Sequence, residues 1–154
     1  MLRRDGHRVV SLLGCDVDAL TMGETLAEVE RVVEVGRPAQ HCVLNASKAV
    51  LMQKDRRLRE IMDSCELVNA DGQSVVWASR VLGRPLPERV AGIDLFQELL
   101  GLAELRRWGV YFVGATHEVI GGAVARAELD YPQLRICGWH DGYLRAEDTD
   151  LIAP

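Results

Sequence analysis

Three stretches of the 154-residue chain end in side chains suited to holding a polar ligand or moving a proton. Asn45 follows the apolar run His41-Cys42-Val43-Leu44, and its amide can both donate to and accept from a sugar hydroxyl or a uracil edge. Asp71-Gly72 follows Glu66-Leu67-Val68-Asn69-Ala70, and the Asp71 carboxylate can take a proton. Gly114-Ala115-Thr116 follows Val110-Tyr111-Phe112-Val113 and opens a helical stretch, so its backbone N–H groups and the helix dipole favour a diphosphate. Each has a plainer alternative. Asp-Gly is a common turn, Asn45 suits a helix cap, Gly114-Ala115-Thr116 lacks the G-x-G-x-x-G spacing, and Arg89 and Asp94 suit a surface pair.

The elements that must position these residues alternate short β-branched runs with helical stretches. That alternation predicts an α/β fold, a Rossmann-like, mostly parallel sheet flanked by helices, in one domain over 1–154. Val9 to Leu13 reads as a first strand leading into a turn at Gly14 and Asp16. Thr21-Met22-Gly23-Glu24 has capping-box spacing for a helix with Leu26, Val29, Val32 and Val33 on its apolar face, ended by Gly36 and Pro38. Helices are expected from Ser47 to about Gln53, after Asp55, over Gln73–Leu82, from near Asp94 to about Trp108, and after Thr116 to Leu129. Arg89 to Gly92 reads as a loop, Val110 to Val113 as the clearest buried strand, and Leu134 to Cys137 as one more strand. In such a sheet, ligands bind beyond the carboxyl ends of the strands, where Asn45, Asp71 and Gly114 are expected.

Composition narrows the function. Hydrophobic residues at 48% and charged residues at 27% fit a globular domain, and a net charge of -5 argues against general nucleic-acid binding. No apolar run approaches the roughly 20 residues that cross a bilayer. Cys15, Cys42, Cys65 and Cys137 form no CxxC pair, and His7, His41, His117 and His140 form no ligand-spaced cluster, so no metal site is expected. The cysteines read as scattered buried thiols in a reducing cytoplasm, and His41 as structural. Trp77, Trp108 and Trp139 read as core or edge packing, and His140-Asp141-Gly142 as a turn.

Taken together, the blocks are distinctive. Asn45-Ala46-Ser47-Lys48, Val68 through Ala78 and Glu88 through Leu95 occur in order, followed by Tyr111-Phe112-Val113-Gly114-Ala115 and Gly138-Trp139-His140-Asp141-Gly142-Tyr143. From Val9 to its end the chain resembles the WecG/TagA/CpsF family of bacterial glycosyltransferases. The resemblance implies inverting transfer of an N-acetylmannosamine-type or related hexose from a UDP-sugar to a polyprenyl-diphosphate-linked acceptor, in cell-wall, teichoic-acid or exopolysaccharide synthesis. It implies no cofactor and no metal, with a cytoplasmic location peripheral to the inner membrane face. By the same resemblance Asp71 is the general base, Asn45 lines the sugar pocket and Arg89 faces the diphosphate. Gly72, Asp94, Gly114 and Ala115 complete the expected substrate-binding set.

Two departures stand out. Val43 occupies a position where the family usually has threonine. The chain also stops before a Pro-Lys-Gln-Glu-like block and a membrane-binding tail, which reads as C-terminal truncation. A rival reading follows from the second departure, a non-catalytic nucleotide-binding or partner module of the same fold. A truncated sheet edge would invite self-association.

Overall fold

The structure is a computed structural model in which residues 6–144 are described. The sequence after Glu147 also reads as entering another helix, and that stretch lies outside the described residues. The elements run β1 Val9–Leu12, β2 Cys15–Asp18, α1 Met22–Val35, β3 His41–Leu44, α2 Ala46–Leu51, α3 Arg56–Ser64, β4 Leu67–Ala70 and α4 Gln73–Val81. They continue with α5 Gly92–Arg106, β5 Gly109–Val113, α6 His117–Asp130 and β6 Arg135–His140. The fold is α/β, as expected: β3 pairs with β4 and β5 with β6 in parallel, with helices in the connections. The described residues divide after Phe96 into two compact units.

In the first unit the chain begins with a hairpin that the sequence reading missed. A turn was expected at Gly14 and Asp16; Gly14 is in the turn, but Asp16 lies within Cys15–Asp18, which pairs antiparallel with Val9–Leu12. The turn is Leu13-Gly14, with φ of 53° and 82°. Two successive positive φ values give the tight hairpin twist that Asn-Gly usually supplies, and a leucine in the first position hides the signal. α1 behaves as its sequence demands. The Thr21 Oγ1 accepts from Glu24 N at 3.2 Å while Glu24 Oε2 accepts from Thr21 N at 2.7 Å, and Gly36 ends the helix at φ 69°. The bonds from Thr21, the backbone one first, hold the Glu24 carboxyl below its ordinary range.

β4 is buried along its whole length, and groups on both of its edges find partners. Leu67 N and Asp71 N donate towards β3, to Gln40 O and Leu44 O. The alternate groups point the other way. Val68 N donates to the buried Asp18 Oδ2 at 2.6 Å, and Ala70 O accepts from Val90 N at 3.0 Å. A carboxylate and a loop thus take the place of a further strand. The core around them joins Leu12, Val17, Leu44, Met52, Met62, Val68 and Val76.

The second unit has its own core of Leu100, Phe112, Ile120, Val124 and Ala127. Here β5 corrects an expectation: only Phe112 is buried, while Tyr111 and Val113 are exposed. The apolar run packs one face against this core, and run length cannot separate one buried face from two. β6 reaches His140 and carries a bulge, because Val110 pairs with Ile136 but Tyr111 pairs with Gly138. Gly138 holds φ 155° there, and the extra residue, Cys137, is exposed rather than buried as expected. Of the other cysteines, Cys15 and Cys65 are buried and Cys42 is half-buried, and all four are free thiols.

Candidate active site at the carboxyl ends of strands 3 and 4

Parallel pairing sets the first unit's site. Leu44 lies opposite Ala70, and Asp71 N donates to Leu44 O at 2.8 Å as the last rung of the ladder. Asn45 and Asp71 therefore leave adjacent strands at the same level, and each then meets a different helix. Asn45 caps α2: its Oδ1 accepts from Lys48 N at 2.9 Å. The Lys48 ammonium turns back and donates to Val43 O at 2.9 Å, a position that spacing gave no reason to single out.

Asp71 does not cap the helix that follows it. Gly72, at φ 126°, is the N-cap of α4 and provides no side chain for capping. The Asp71 carboxylate instead reaches the start of α5, where Oδ2 accepts from Gly92 N at 3.3 Å. A helix N-terminus is a favourable place for a carboxylate, because free N–H groups converge there. Gly92 is thus part of the site, and the sequence marked it only as the end of a loop. A Cβ on Gly92 would stand 3.7 Å from Asp71 Oδ2 and 3.8 Å from the Val43 methyl groups, so backbone, carboxylate and Val43 meet closely. The half-buried Asp71 has one oxygen fixed by the backbone, and Oδ1 has no hydrogen-bond partner among the described residues. That arrangement suits a proton acceptor with a set direction.

Arg89 and Asp94 flank Gly92 in sequence but face outwards. Val90 and Ala91 are buried and pin the loop, while Arg89 Nη2 meets Asp94 Oδ2 at 3.4 Å with the side chains 42% and 57% exposed. This is the surface pair foreseen as the plainer alternative. It is long and solvated, so it holds Arg89 only weakly. Glu88, in the same loop, accepts from Met22 N at the start of α1.

Beneath the site lies a buried polar chain. Thr25 Oγ1 donates to Thr21 O at 2.8 Å, Asn69 Nδ2 donates to Thr25 Oγ1 at 3.0 Å, and Asn69 Oδ1 pairs with His41 Nε2 at 2.9 Å. Because Asn69 Oδ1 can only accept, His41 must carry its proton on Nε2. Burial pushes the His41 imidazole below its ordinary range, against the opposing pull of the Asn69 bond. His41 is structural, as its position suggested.

In the second unit, Gly114 at φ 150° and Ala115 at φ 55° form the turn before α6. Thr116 makes no side-chain capping bond, which leaves the first N–H groups of α6 free of one. The chain returns over this turn: Gly142 N donates to Ala115 O at 2.9 Å and Gly114 N donates to His140 O at 3.1 Å. The turn expected at His140-Asp141-Gly142 starts one residue later: His140 ends β6, and Asp141 Oδ1 accepts from Tyr143 N across Gly142. Trp139 packs on the second core and against His117, with ring centroids 4.8 Å apart. Trp77 departs from its reading as packing, since α4 presents it 60% exposed. Among the described residues no group of His, Cys, Asp and Glu is placed to hold a metal ion, and no helix is long and apolar enough to cross a membrane.

Comparison with known proteins agrees with the block pattern. Residues 10–153 match the model of the glycosyl transferase WecG/TagA/CpsF family. The chain is similar to N-acetylglucosaminyldiphosphoundecaprenol N-acetyl-beta-D-mannosaminyltransferases. The one from Bacillus subtilis (strain 168) is 36% identical over 110 residues, covering 71% of this chain and 42% of the relative. The one from Bacillus spizizenii is 37% identical over 63% of this chain and 38% of the relative. That of Staphylococcus aureus (strain NCTC 8325) is 28% identical over 97% of this chain and 59% of the relative. The chain thus spans about half the length of the curated relatives it matches. Ordered blocks, a parallel α/β fold and a family match covering nearly every residue converge: the chain belongs to the glycosyl transferase WecG/TagA/CpsF family.

Proposed function

We propose that the chain is the sugar-transferring part of an inverting glycosyltransferase, with a UDP-linked N-acetylmannosamine-type hexose as donor and a polyprenyl-diphosphate-linked sugar as acceptor. The observation that carries this reading is the Asp71 carboxylate. It projects past the last rung of the β3–β4 ladder, with Oδ2 tied to the Gly92 N–H and Oδ1 free to take a proton. The activity for which the relatives are named supports the acceptor class, a diphosphate-linked lipid carrying N-acetylglucosamine.

In this mechanism Asp71 Oδ1 takes the proton of the acceptor hydroxyl. The oxygen bonds to the sugar's anomeric carbon from the face opposite the nucleotide, and the carbon–oxygen bond to UDP breaks. Its electron pair leaves on the diphosphate, and the anomeric centre inverts. Asn45 supports the sugar with its amide Nδ2, because Oδ1 is occupied by Lys48 N. Arg89 leaves its weak contact with Asp94 and neutralises charge on the departing diphosphate. Within the second unit, the turn at Gly114 and Ala115 leaves the first N–H groups of α6 without a side-chain cap, a setting that by itself favours an anion. No step requires a metal ion. Such a reaction uses a lipid-borne acceptor and so takes place at a membrane surface.

Calorimetric titration of the chain with UDP tests this reading. Saturable binding weakened by Arg89→Ala supports it. No heat of binding to UDP would leave the chain as a partner or structural module of the same fold.

A further inference from the structure

We infer that the cleft between β1 and the segment 83–85 is a binding site for a soluble diphosphate-type anion, apart from the site around Asp71. Among the described residues β1 pairs with β2 alone. Ala19 N donates to Arg8 O, and in that register Val10 with Val17 and Leu12 with Cys15 exchange the ladder bonds. The backbone of Val9 and Ser11 therefore points to the open edge. Ser11 O accepts there from Arg84 Nη1 at 3.3 Å, and the Ser11 N–H points the same way.

The cleft along this edge has a volume of about 460 Å³. Two arginines span it from opposite walls. Arg8, just before β1, donates from Nη2 to Pro85 O, while Arg84 donates back to Ser11 O. Both acceptors are neutral carbonyls, and among the described residues neither guanidinium meets a carboxylate. Asp16 is the one acidic residue lining the cleft, so two arginines against one aspartate leave it positive in a chain of net charge -5. A Cβ on Gly83 would meet nothing within 4 Å, which leaves room over the segment.

The donor set decides the ligand. A guanidinium carries five N–H donors, and each arginine gives one here to a carbonyl, so most remain for a ligand together with the strand-edge N–H of Ser11. A cation would meet two like charges, and an apolar molecule would strand the donors. A single phosphate group can be held from one wall; a diphosphate has oxygens for both arginines at once, in charge-assisted bonds.

The site stands on these residues alone. Its consequence rests on the proposed glycosyl transfer. The same segment continues to Leu86, whose N–H is held by Ser79 Oγ at 3.0 Å, to Val90, which seals β4, and to Gly92, which holds Asp71. An anion tying Arg84 to β1 steadies that segment at its start and so acts on the Asp71 carboxylate from outside the reaction.

Calorimetric titration with inorganic diphosphate tests the proposal, in the full chain carrying Arg89→Ala so that the cation proposed for UDP plays no part. Saturable binding is expected, about tenfold weaker with Arg8→Gln or Arg84→Gln added, and about tenfold weaker for inorganic monophosphate. Arg80→Gln, at an exposed arginine one turn before Arg84 and outside the cleft, should bind like its background. All these arginines are exposed, so circular dichroism spectra should match the parent's.

No saturable binding, or an affinity unchanged by both Arg8→Gln and Arg84→Gln, overturns the proposal. An equal loss with Arg80→Gln would reduce the effect to general charge and overturn it as well. Displacement of bound diphosphate by phosphatidic acid vesicles would assign the cleft to a lipid headgroup, against a soluble anion. Failure of the parent chain to bind UDP would sink the proposed transfer and leave this site standing.

Discussion

Asn69 carries the sharpest structural expectation. It is fully buried in β4 and holds two partners, His41 Nε2 at 2.9 Å and Thr25 Oγ1 at 3.0 Å. Asn69→Ala leaves the half-buried imidazole N–H without its acceptor and the fully buried threonine oxygen without its donor. Each stranded buried group costs about 1–3 kcal/mol, so a loss of about 3 kcal/mol is expected even with partial relaxation. Against a total stability of roughly 5–15 kcal/mol this is large. With a urea slope of about 1.5 kcal/mol per molar, the unfolding midpoint should fall by about 2 M. Thr25→Val removes the neighbouring hydroxyl and should cost about 1–2 kcal/mol on its own. Because the Asn69–Thr25 bond can be lost only once, the double variant should cost less than the sum of the two. A midpoint within about 0.3 M of the parent for Asn69→Ala, or strict additivity in the double variant, would refute the idea of a closed hydrogen-bonded chain.

Three further outcomes are expected. Burial keeps the folded-state His41 imidazole below its ordinary value near 6.5, so the unfolded chain takes the proton first as pH falls. Its contribution to stability is therefore complete above that value and is lost as pH drops through the lower folded one; His41→Gln should flatten that slope in denaturation midpoints measured across mildly acidic pH. Ser79→Ala should destabilise by about 1–2 kcal/mol in thermal melts, because the buried Ser79 Oγ accepts from Leu86 N at 3.0 Å and the loop N–H would lose its partner. Arg89→Ala should leave the unfolding free energy within about 0.5 kcal/mol of the parent while weakening UDP binding, since its contact with Asp94 is solvated. A midpoint that falls with unchanged UDP affinity would reassign Arg89 to structure.

What could be read in the sequence was what local rules determine. The Thr21–Glu24 capping box, the Asp55 cap and Gly36 each specify a helix end through contacts within one turn, and each stands where expected. Asn45 and Asp71 were legible as strand-end residues because a strand followed by a helix fixes their level. The contacts that set their chemistry were not legible. Nothing within a few residues of Asp71 announces that its carboxylate meets Gly92 N, twenty-one residues on, since that contact follows from how the loop at Val90 seals β4. The same applies to Asp18, whose side chain closes the far edge of β4 in place of a backbone rung. Leu13-Gly14 hid a hairpin by putting a leucine at positive φ, and Trp77 ran against the habit of reading tryptophan as core.

The central claim is that Asp71 takes the acceptor's proton. It is tested most directly by following hexose transfer from UDP-N-acetylmannosamine to a prenyl-diphosphate-linked N-acetylglucosamine, in the parent chain and in Asp71→Asn, with UDP affinity measured alongside. The asparagine keeps the shape and the acceptor oxygen for Gly92 N but cannot take a proton at pH 7. The account expects the transfer rate to fall by about a hundredfold to ten-thousandfold while UDP affinity changes less than about threefold. An Asp71→Asn chain that transfers sugar at the parent's rate would contradict it.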